Sequence, residues 1–346
     1  MLARRFLWAL IFALPLTAAA ANIEIIGAGA SFPAPVISAW AQDFGRETGA
    51  SLRYLSVGSG EGIRRVTART SDFAMTDVPL TSAELNQDDL LQFPVVAGAI
   101  VPIVNIPGVG DGALILTGPL LADIFLGKIN SWDDPAIAAA NPSLALPPLP
   151  IKVVHRSDGS GTSFVFTYYL SKVSGEWRDR IGIGSRLIWP VGDGARSNEG
   201  VAQAVEQITG AIGYVEIAYA EAHHLATARL VNHSGHTVAA NLDSVRAALN
   251  GARWHRSGFY EVLTEQEGAA TWPIVGVSFA LLHKRQEVAA DAVACLTFMH
   301  WIHAKGTTQA AALHYVSLSD PALIARIEAS WSEIRDERGQ PVWSRK

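Results

Sequence analysis

Three times along this chain, a strand-like apolar segment leads into a turn of serine and glycine and then into a helix-like segment. The predicted strands cover residues 22–26, 52–57 and 151–155, and the helices after them begin near residues 35, 58 and 158 and end near 47, 70 and 173. Strands that alternate with helices favour an α/β fold with parallel strands. In the first helix, Val36, Ile37, Trp40 and Phe44 share one face, and Gly49 is the expected C-cap.

Length and composition allow a sizeable core and disfavour one class of partner. The 346 residues, 49% of them hydrophobic and 17% charged, are typical of a folded protein of about two domains. A net charge of −5 disfavours a nucleic-acid-binding protein that depends on a broad basic surface. The single cysteine, Cys295, excludes an internal disulfide and a Cys-rich metal cluster, and its apolar neighbours predict a buried side chain.

The first 21 residues have the pattern of a secretory signal peptide. Arg4 and Arg5 are followed by an apolar stretch over residues 6–16 and by small residues over 18–21, where cleavage is expected. The apolar stretch is short and is broken by a proline, and no later segment has 18 unbroken apolar residues, so a membrane span is not expected. We therefore predict an exported, soluble mature protein.

The three serine- and glycine-bearing turns are candidate anion sites. They contain Ser31, Ser59 and the run from Ser160 to Thr162. A helix start presents unpaired backbone N–H groups and the positive end of the helix dipole, and small residues let an anion approach the backbone. Serine and glycine are also good helix caps, worth about 1 kcal/mol each, so any one turn fits either role. Their repetition in an acidic chain strengthens the anion hypothesis but does not decide between the two roles.

Residues 156–163 (RSDGSGTS) combine a charged donor with one of these helix starts. Arg156 can point toward the helix start, and Asp158 can hold its guanidinium by an ion pair. Asp77 follows another short strand-like segment. Because a carboxylate only accepts hydrogen bonds, an acid in an anion site selects an anion that still carries a proton. Phosphate at neutral pH carries one, and sulfate does not.

Motifs along nearly the whole mature chain resemble one family. They are residues 27–35 (GAGASFPAP), 58–60 (GSG), 72–80 (DFAMTDVPL), 126–129 (LGKI) with 132–134 (WDD), 158–164 (DGSGTSF) and 210–216 (GAIGYVE). In these stretches, and in their order, the chain resembles the periplasmic phosphate-binding proteins of the phosphate-specific ABC transporter.

The resemblance implies a type II periplasmic binding protein of the α/β class. Two lobes, each with a mixed central sheet flanked by helices, would be joined by a two-strand hinge. Lobe one would comprise residues 22–102 plus 277–346, and lobe two residues 103–276. The proline-rich stretch over 141–150, which alone could also be a linker between sequential domains, would then be a surface loop within one lobe.

The resemblance also implies the function and the partners. The protein would be a periplasmic monomer that closes over inorganic phosphate and delivers it to the permease subunits of an ABC transporter with a cytoplasmic ATPase. No cofactor, metal, nucleic acid or catalytic residue is implied. The residues implied to bind phosphate are Ser31, Phe32 (through its backbone N–H), Ser59, Asp77, Arg156, Ser160, Gly161 and Thr162, with Asp158 in support. Asp77 would accept the phosphate proton and thereby give selectivity over sulfate.

Two positions depart from the family pattern. Ser31 stands where the family often has threonine, which keeps the hydroxyl. Glu61 stands where many relatives have a small residue. Either it pairs with Arg64 or Arg65 on its own helix, or it faces the cleft mouth and slows anion capture.

Other functions find less support in the sequence. The hydrolase elbow G-x-S-x-G is absent, since Ser160 has Asp158 where glycine is required, and there is no P-loop. A dinucleotide-like run fails because Phe32 occupies its third glycine position. The histidines lack the tight ligand set of a metal site. A binding protein for another oxyanion or a phosphonate, and an extracellular phosphate-ester hydrolase or adhesion protein, remain as alternatives.

Overall fold

The structure is a computed structural model that describes residues 24–343. The predicted signal peptide, residues 1–21, lies outside the described residues. Within 24–343, no helix has both the length and the apolar character needed to cross a membrane.

Strands and helices alternate along most of the described chain, which confirms the α/β fold class. The strands are β1 (Glu24–Gly29), β2 (Ser51–Ser56), β3 (Phe73–Thr76), β4 (Leu90–Val104), β5 (Ile115–Thr117), β6 (Lys152–Arg156), β7 (Asp193–Ala195), β8 (Ala211–Glu216), β9 (Ala226–Thr227), β10 (Arg229–Val231), β11 (Thr237–Val238), β12 (Leu263–Thr264), β13 (Ile274–His283) and β14 (Val316–Ser317).

The helices flank the strands and connect them. They are α1 (Ala34–Thr48), α2 (Ser59–Thr67), α3 (Ser82–Gln87), α4 (Gly118–Phe125), α5 (Pro135–Ala140), α6 (Gly161–Val173), α7 (Gly175–Arg180), α8 (Ser197–Gln207), α9 (Ile217–Ala222), α10 (Leu242–Leu249), α11 (Ala289–Lys305), α12 (Thr307–Ala312) and α13 (Pro321–Ser330). Two short 3₁₀ helices cover Ser257–Phe259 and Trp331–Glu333.

One large mixed sheet organises the molecule. Its strand order is β2-β1-β3-β13-β4-β8-β6-β7. The β2-β1-β3 and β8-β6-β7 ends pair in parallel, whereas β13 and β4 run antiparallel to their neighbours. Of the first ten residues of β4, nine pair with β13 and Val95 is skipped at a register shift. The last five, from Ile100 to Val104, pair with β8. All residues of β4 and β13 are buried, as expected for central strands covered on both faces.

Local structure agrees with most of the sequence pattern. The face of α1 predicted to be apolar is buried, and Gly49 caps the helix with a φ of 76°. Cys295 is buried in α11 without a disulfide. α2 ends at Thr67, three residues earlier than predicted, and Arg69 just beyond it has a left-handed backbone (φ 56°) that cannot continue a helix.

Candidate functional site

The predicted site residues lie at the carboxyl ends of parallel strands. Ser31 and Phe32 follow β1, Ser59 follows β2, Asp77 follows β3, and Arg156 is the last residue of β6. β6 runs opposite to β1, β2 and β3, so the carboxyl ends of the two groups face each other across the middle of β4. In open α/β sheets ligands bind at the carboxyl ends of the strands, because the loops and helix starts that follow the strands lie there. The strand order brings these ends together, although the residues are up to 125 positions apart in the chain.

Two of the predicted turns open helices as expected. Ser59 is the first residue of α2, after Gly58 as N-cap. Ser160 is the N-cap of α6, and its Oγ accepts a hydrogen bond of 3.0 Å from the Ser163 N–H. Ser31 lies three residues before the start of α1. Ser160 therefore has the capping role that the sequence left open, and the first N–H groups of α6 are directed into the site.

Ser59 joins the starts of α2 and α6 to Asp77. Its Oγ accepts hydrogen bonds from the Gly161 N–H (3.1 Å) and the Asp77 N–H (3.3 Å). A Cβ atom on Gly161 would lie 2.6 Å from both Asp77 Oδ2 and Ser59 Oγ. Glycine is therefore required at this position for the two helix starts to approach so closely.

Arg156 is a buried cation with a fixed orientation. Its Nε and Nη2 atoms donate to the two carboxylate oxygens of Asp158 at 2.7 and 2.6 Å, and Nη1 lies 3.5 Å from Thr162 Oγ1. Burial alone would raise the pKa of Asp158, but the hydrogen bonds and charge of Arg156 lower that pKa below its ordinary value. Asp158 thus stays ionised and holds the guanidinium with one edge still able to donate toward Thr162.

Asp77 is the buried acceptor of the site. Its Oδ1 accepts a hydrogen bond from Ser278 Oγ, while Oδ2 has no hydrogen-bond partner among residues 24–343. Burial raises the pKa of Asp77 to about 7, although the Ser278 hydrogen bond and the nearby Arg156 charge act in the opposite direction. A buried carboxylate oxygen without a partner is costly, so this atom is a candidate ligand contact.

The backbone and hydroxyl of Ser31 are held by Tyr219 of α9 and Asn198 of α8. Tyr219 Oη donates to the Ser31 carbonyl at 2.6 Å. Because the peptide bond is planar and trans, this bond also fixes the direction of the Phe32 N–H, which belongs to the same peptide unit. The Ser31 hydroxyl accepts from the N–H and Nδ2 of Asn198 at 3.1 and 2.9 Å.

Sequence reasoning missed Asn198 and Ser278. Asn198 lies in the first turn of α8 and also donates to Thr162 Oγ1 at 3.3 Å, so it links Ser31 to Thr162. The sequence feature that could have indicated Asn198 is a fourth helix start with polar residues, which follows the short strand β7. Ser278 is the only hydroxyl residue in the apolar strand β13 (IVGVSFALLH), and an isolated polar residue in a buried strand is expected to have a specific partner.

Glu61 lies on the rim of the site. Its carboxylate pairs with arginines on its own helix, as the first of the two hypotheses expected. Arg64 forms an ion pair with it, and Arg65 Nε lies 2.9 Å from Glu61 Oε1. The hydrogen bond from Arg65 lowers the pKa of Glu61. The carboxylate is thus neutralised on its own helix, although it also lines the groove described next.

A groove of about 470 Å³ opens beside the point where α2 and the 156–163 turn meet. There the Gly60 N–H donates to the Gly159 carbonyl at 3.1 Å. Arg186 and Arg196 are exposed and form no side-chain hydrogen bond or ion pair within residues 24–343. The charged residues that line the groove are Glu61, Arg64, Arg65, Asp158, Arg186 and Arg196. Cations outnumber anions along this groove, in a chain that is acidic overall.

Several of the histidines have local partners. His223 contacts Glu206 and Glu199 at 2.8 and 3.1 Å. His303 stacks on Trp331, and burial lowers its pKa to about 4. In the described part of the chain, no group of three or more His, Cys, Asp or Glu residues is arranged to hold a metal ion.

Taken together, the site presents many donors and one unpaired acceptor. The donors are hydroxyls, helix-start N–H groups and one guanidinium, and the acceptor is Asp77 Oδ2. This arrangement suits a small dehydrated oxyanion that carries a proton of its own.

Comparison with known proteins identifies close relatives over most of the chain. A family model described as the PBP superfamily domain matches residues 16–305. The phosphate-binding protein PstS of Xylella fastidiosa (strain 9a5c) is 48% identical over 312 residues, covering 90% of this chain and 85% of that protein. The phosphate-binding protein PstS of Pasteurella multocida (strain Pm70) is 45% identical over 321 residues, covering 92% and 93%.

Solved structures share the fold at lower identity. A high-affinity periplasmic phosphate-binding protein (PfluDING) bound with phosphate has a TM-score of 0.71 and 20% identity, covering 89% of this chain and 94% of that one. A putative phosphate ABC transporter substrate-binding protein with bound phosphate from Clostridium perfringens has a TM-score of 0.62 and 19% identity, covering 86% and 100%. These similarities confirm the predicted periplasmic binding fold.

Proposed function

This chain belongs to the phosphate-binding protein PstS family within the PBP superfamily, and on that premise we propose that it binds one inorganic phosphate at the site around Asp77. The proposed binding residues are those that the sequence indicated: Ser31, Phe32, Ser59, Asp77, Arg156, Ser160, Gly161 and Thr162. Asp158 supports Arg156.

The observation that carries this proposal is the unpaired Asp77 Oδ2 among convergent donors. A bound phosphate would accept hydrogen bonds from the serine and threonine hydroxyls, the N–H groups at the start of α6 and the Arg156 guanidinium. Its own P–O–H group would donate to Asp77 Oδ2. Every buried polar group in the site then has a partner.

Selectivity over sulfate follows from the same carboxylate. A sulfate oxygen in the same position has no proton, so two acceptors would face each other away from water. Rejection that rests on unpaired buried polar groups can reach on the order of 10⁴-fold. Phosphate, which is similar in size and shape, avoids this penalty by supplying the missing proton.

We further propose that the ligand binds between two lobes that close on it. Lobe one comprises residues 22–102 plus 277–346, and lobe two residues 103–276. Three contacts would join the lobes in the closed form: Gly60 with Gly159, Ser59 with Gly161, and Ser31 with Asn198. Phosphate release would require these contacts to break by bending at β4 and β13.

In the proposed cycle, the chain acts by binding and not by catalysis. Residues 1–21 direct export to the periplasm, where the monomer captures phosphate and delivers it to the permease subunits of an ABC transporter that is driven by a cytoplasmic ATPase. Neither a nucleophile nor a covalent step is needed. The groups around the anion neutralise and orient it without attacking phosphorus.

A calorimetric titration tests the proposal. The mature chain is stripped of bound ligand by unfolding and refolding. It is then titrated with phosphate and a methylphosphonate at neutral pH, and with phosphate and sulfate at about pH 9, where Asp77 is ionised and phosphate still carries one proton. We expect one-to-one binding of phosphate and no heat from sulfate. Tighter binding of the phosphonate would indicate the alternative ligand class, and turnover of a chromogenic phosphate ester would indicate a hydrolase. Either outcome would overturn the proposed function.

A further inference from the structure

Glu216, at the end of β8, is a buried carboxyl group outside the proposed binding set. The residue has no exposed surface. Its Oε2 accepts from the Ala218 N–H at 2.9 Å and lies 2.7 Å from Tyr315 Oη, whereas Oε1 has no hydrogen-bond partner among residues 24–343. No arginine, lysine or histidine bonds to either oxygen there. An ionised carboxylate in such surroundings would lack a counter-charge.

The hydrogen bonds around Tyr315 require one more proton than its hydroxyl supplies. Tyr315 Oη lies 2.6 Å from the Phe32 carbonyl oxygen and 2.7 Å from Glu216 Oε2. A carbonyl only accepts, and a tyrosine hydroxyl has one proton to donate. If both short contacts are full hydrogen bonds, Tyr315 donates to Phe32 and the second proton belongs to Glu216.

The groups that face Glu216 favour this neutral form. Burial is the main cause that raises the pKa of Glu216 well above its usual value, and the negative charge of Asp77 raises it further. The hydrogen bonds from the Tyr315 hydroxyl and from the backbone N–H groups of residues 217 and 218 lower this pKa. Tyr219, whose hydroxyl is bonded to the Ser31 carbonyl, is another titratable group nearby, and burial is the main cause that raises its pKa.

We propose that Glu216 is a protonated carboxylic acid that positions the Phe32 backbone by donating to Tyr315, which in turn donates to the Phe32 carbonyl. The proposal rests on the proposed function, because Phe32 matters here as a phosphate donor. Tyr219 fixes the peptide unit before Phe32, and the Glu216–Tyr315 pair fixes the one after it. The Phe32 N–H is thereby held from both sides.

Packing leaves this arrangement little freedom. The rings of Phe32 and Tyr315 meet edge to face, 6.0 Å apart. A Cβ atom on Gly98 of β4 would lie 2.9 Å from Glu216 Oε1 and 3.1 Å from the Phe32 ring. Glycine at this position lets the carboxyl group and the ring lie directly on the central strand. The backbone N–H of Glu216 also donates to Asn198 Oδ1 at 3.1 Å, so the residue supports a second contact of the site.

Infrared spectroscopy of the ligand-free, full mature protein tests the proton assignment. In the Asp77→Asn background at neutral pH, we expect the carbonyl stretch of a protonated carboxylic acid, above the amide I band, and we expect this band to disappear when Glu216→Gln is added. The control Glu261→Gln removes another buried glutamate, one that accepts from the Arg253 N–H, and should leave the band unchanged. If Asp77→Asn alone abolishes the band, Glu216 is ionised and the proposal is wrong.

Phosphate affinity tests the positioning role. Tyr315→Phe leaves the Phe32 carbonyl unpaired and should weaken phosphate binding by about tenfold. Glu216→Gln should weaken it by a smaller or equal factor, and the double variant should be no weaker than Tyr315→Phe, because the two residues act in one chain. Independent, multiplying losses would overturn the positioning role. If the wild type does not bind phosphate, the proposed function fails, while the infrared band still decides the protonation state.

Discussion

Asp77→Asn replaces one carboxylate oxygen of the site by an amide nitrogen. Its effects on ligand selectivity and on protein stability can be measured separately. If Oδ1 keeps its hydrogen bond from Ser278, the amide nitrogen occupies the position of Oδ2. The group that faces the anion then donates instead of accepting. At about pH 9, where wild-type Asp77 is ionised, we expect sulfate affinity to rise by about 100-fold, because the opposed acceptors are removed, while phosphate weakens by no more than about tenfold.

The same substitution should stabilise the ligand-free protein above neutral pH. Burial raises the pKa of Asp77 from 3.8 to about 7. Because the folded state holds the proton more tightly than the unfolded state, wild-type stability falls as the pH rises from about 4 to about 7 and is constant above that. The full penalty of ionising Asp77 in the folded state is about 4 kcal/mol. Asparagine does not ionise, so the variant avoids up to this amount.

Two assays check these expectations on the same samples. Calorimetric titrations give the ratio of phosphate to sulfate affinity, and urea unfolding across this pH range gives the stability difference from wild type. That difference should widen as the pH rises to about 7 and then level off. A variant that rejects sulfate as strongly as wild type would remove Asp77 from the selectivity role. A pH-independent stability difference would refute the buried, raised-pKa carboxyl group.

Other perturbations probe the remaining parts of the site. Arg156→Ala removes a buried charged donor and should weaken phosphate binding by about 10- to 100-fold in calorimetry; an unchanged affinity would exclude Arg156 from the site. In the wild type, sulfate affinity should rise about tenfold from one pH unit above the Asp77 pKa to one unit below it, since protonated Asp77 can donate; competition titrations measure this. Arg186→Gln with Arg196→Gln should lower the stopped-flow association rate of phosphate several-fold at low salt, with the dissociation rate unchanged. Glu61→Gly should raise that rate, and equal rates in all these proteins would exclude electrostatic capture by the groove.

Local sequence pattern predicted the units from which the site is built. The apolar strands, the helix starts at Ser59 and Ser160, and the buried face of α1 all follow from short-range periodicity and capping. Polar residues directly after strands marked Asp77 and Arg156 as candidates. These features depend on neighbours within a few residues, so they can be predicted from short stretches of sequence.

The convergence of those units could not be derived from the sequence pattern alone. The order β3-β13-β4-β8-β6 depends on pairing between strands that are far apart in the chain, and it brings Ser59 to Gly161. Ser278 reaches Asp77 because β13 lies between β3 and β4 and runs antiparallel to both. No local periodicity in the sequence indicates this pairing. The raised pKa of Asp77 likewise results from burial by distant segments.

The most direct test of the central claim is a crystal structure of the mature protein with bound phosphate. We expect one phosphate between the starts of α2 and α6, with one oxygen within hydrogen-bond distance of Asp77 Oδ2 and the others bonded to Ser59, Arg156 and Thr162. A phosphate bound elsewhere, or one whose oxygens do not contact Asp77, would contradict the proton-accepting role on which the proposed function depends.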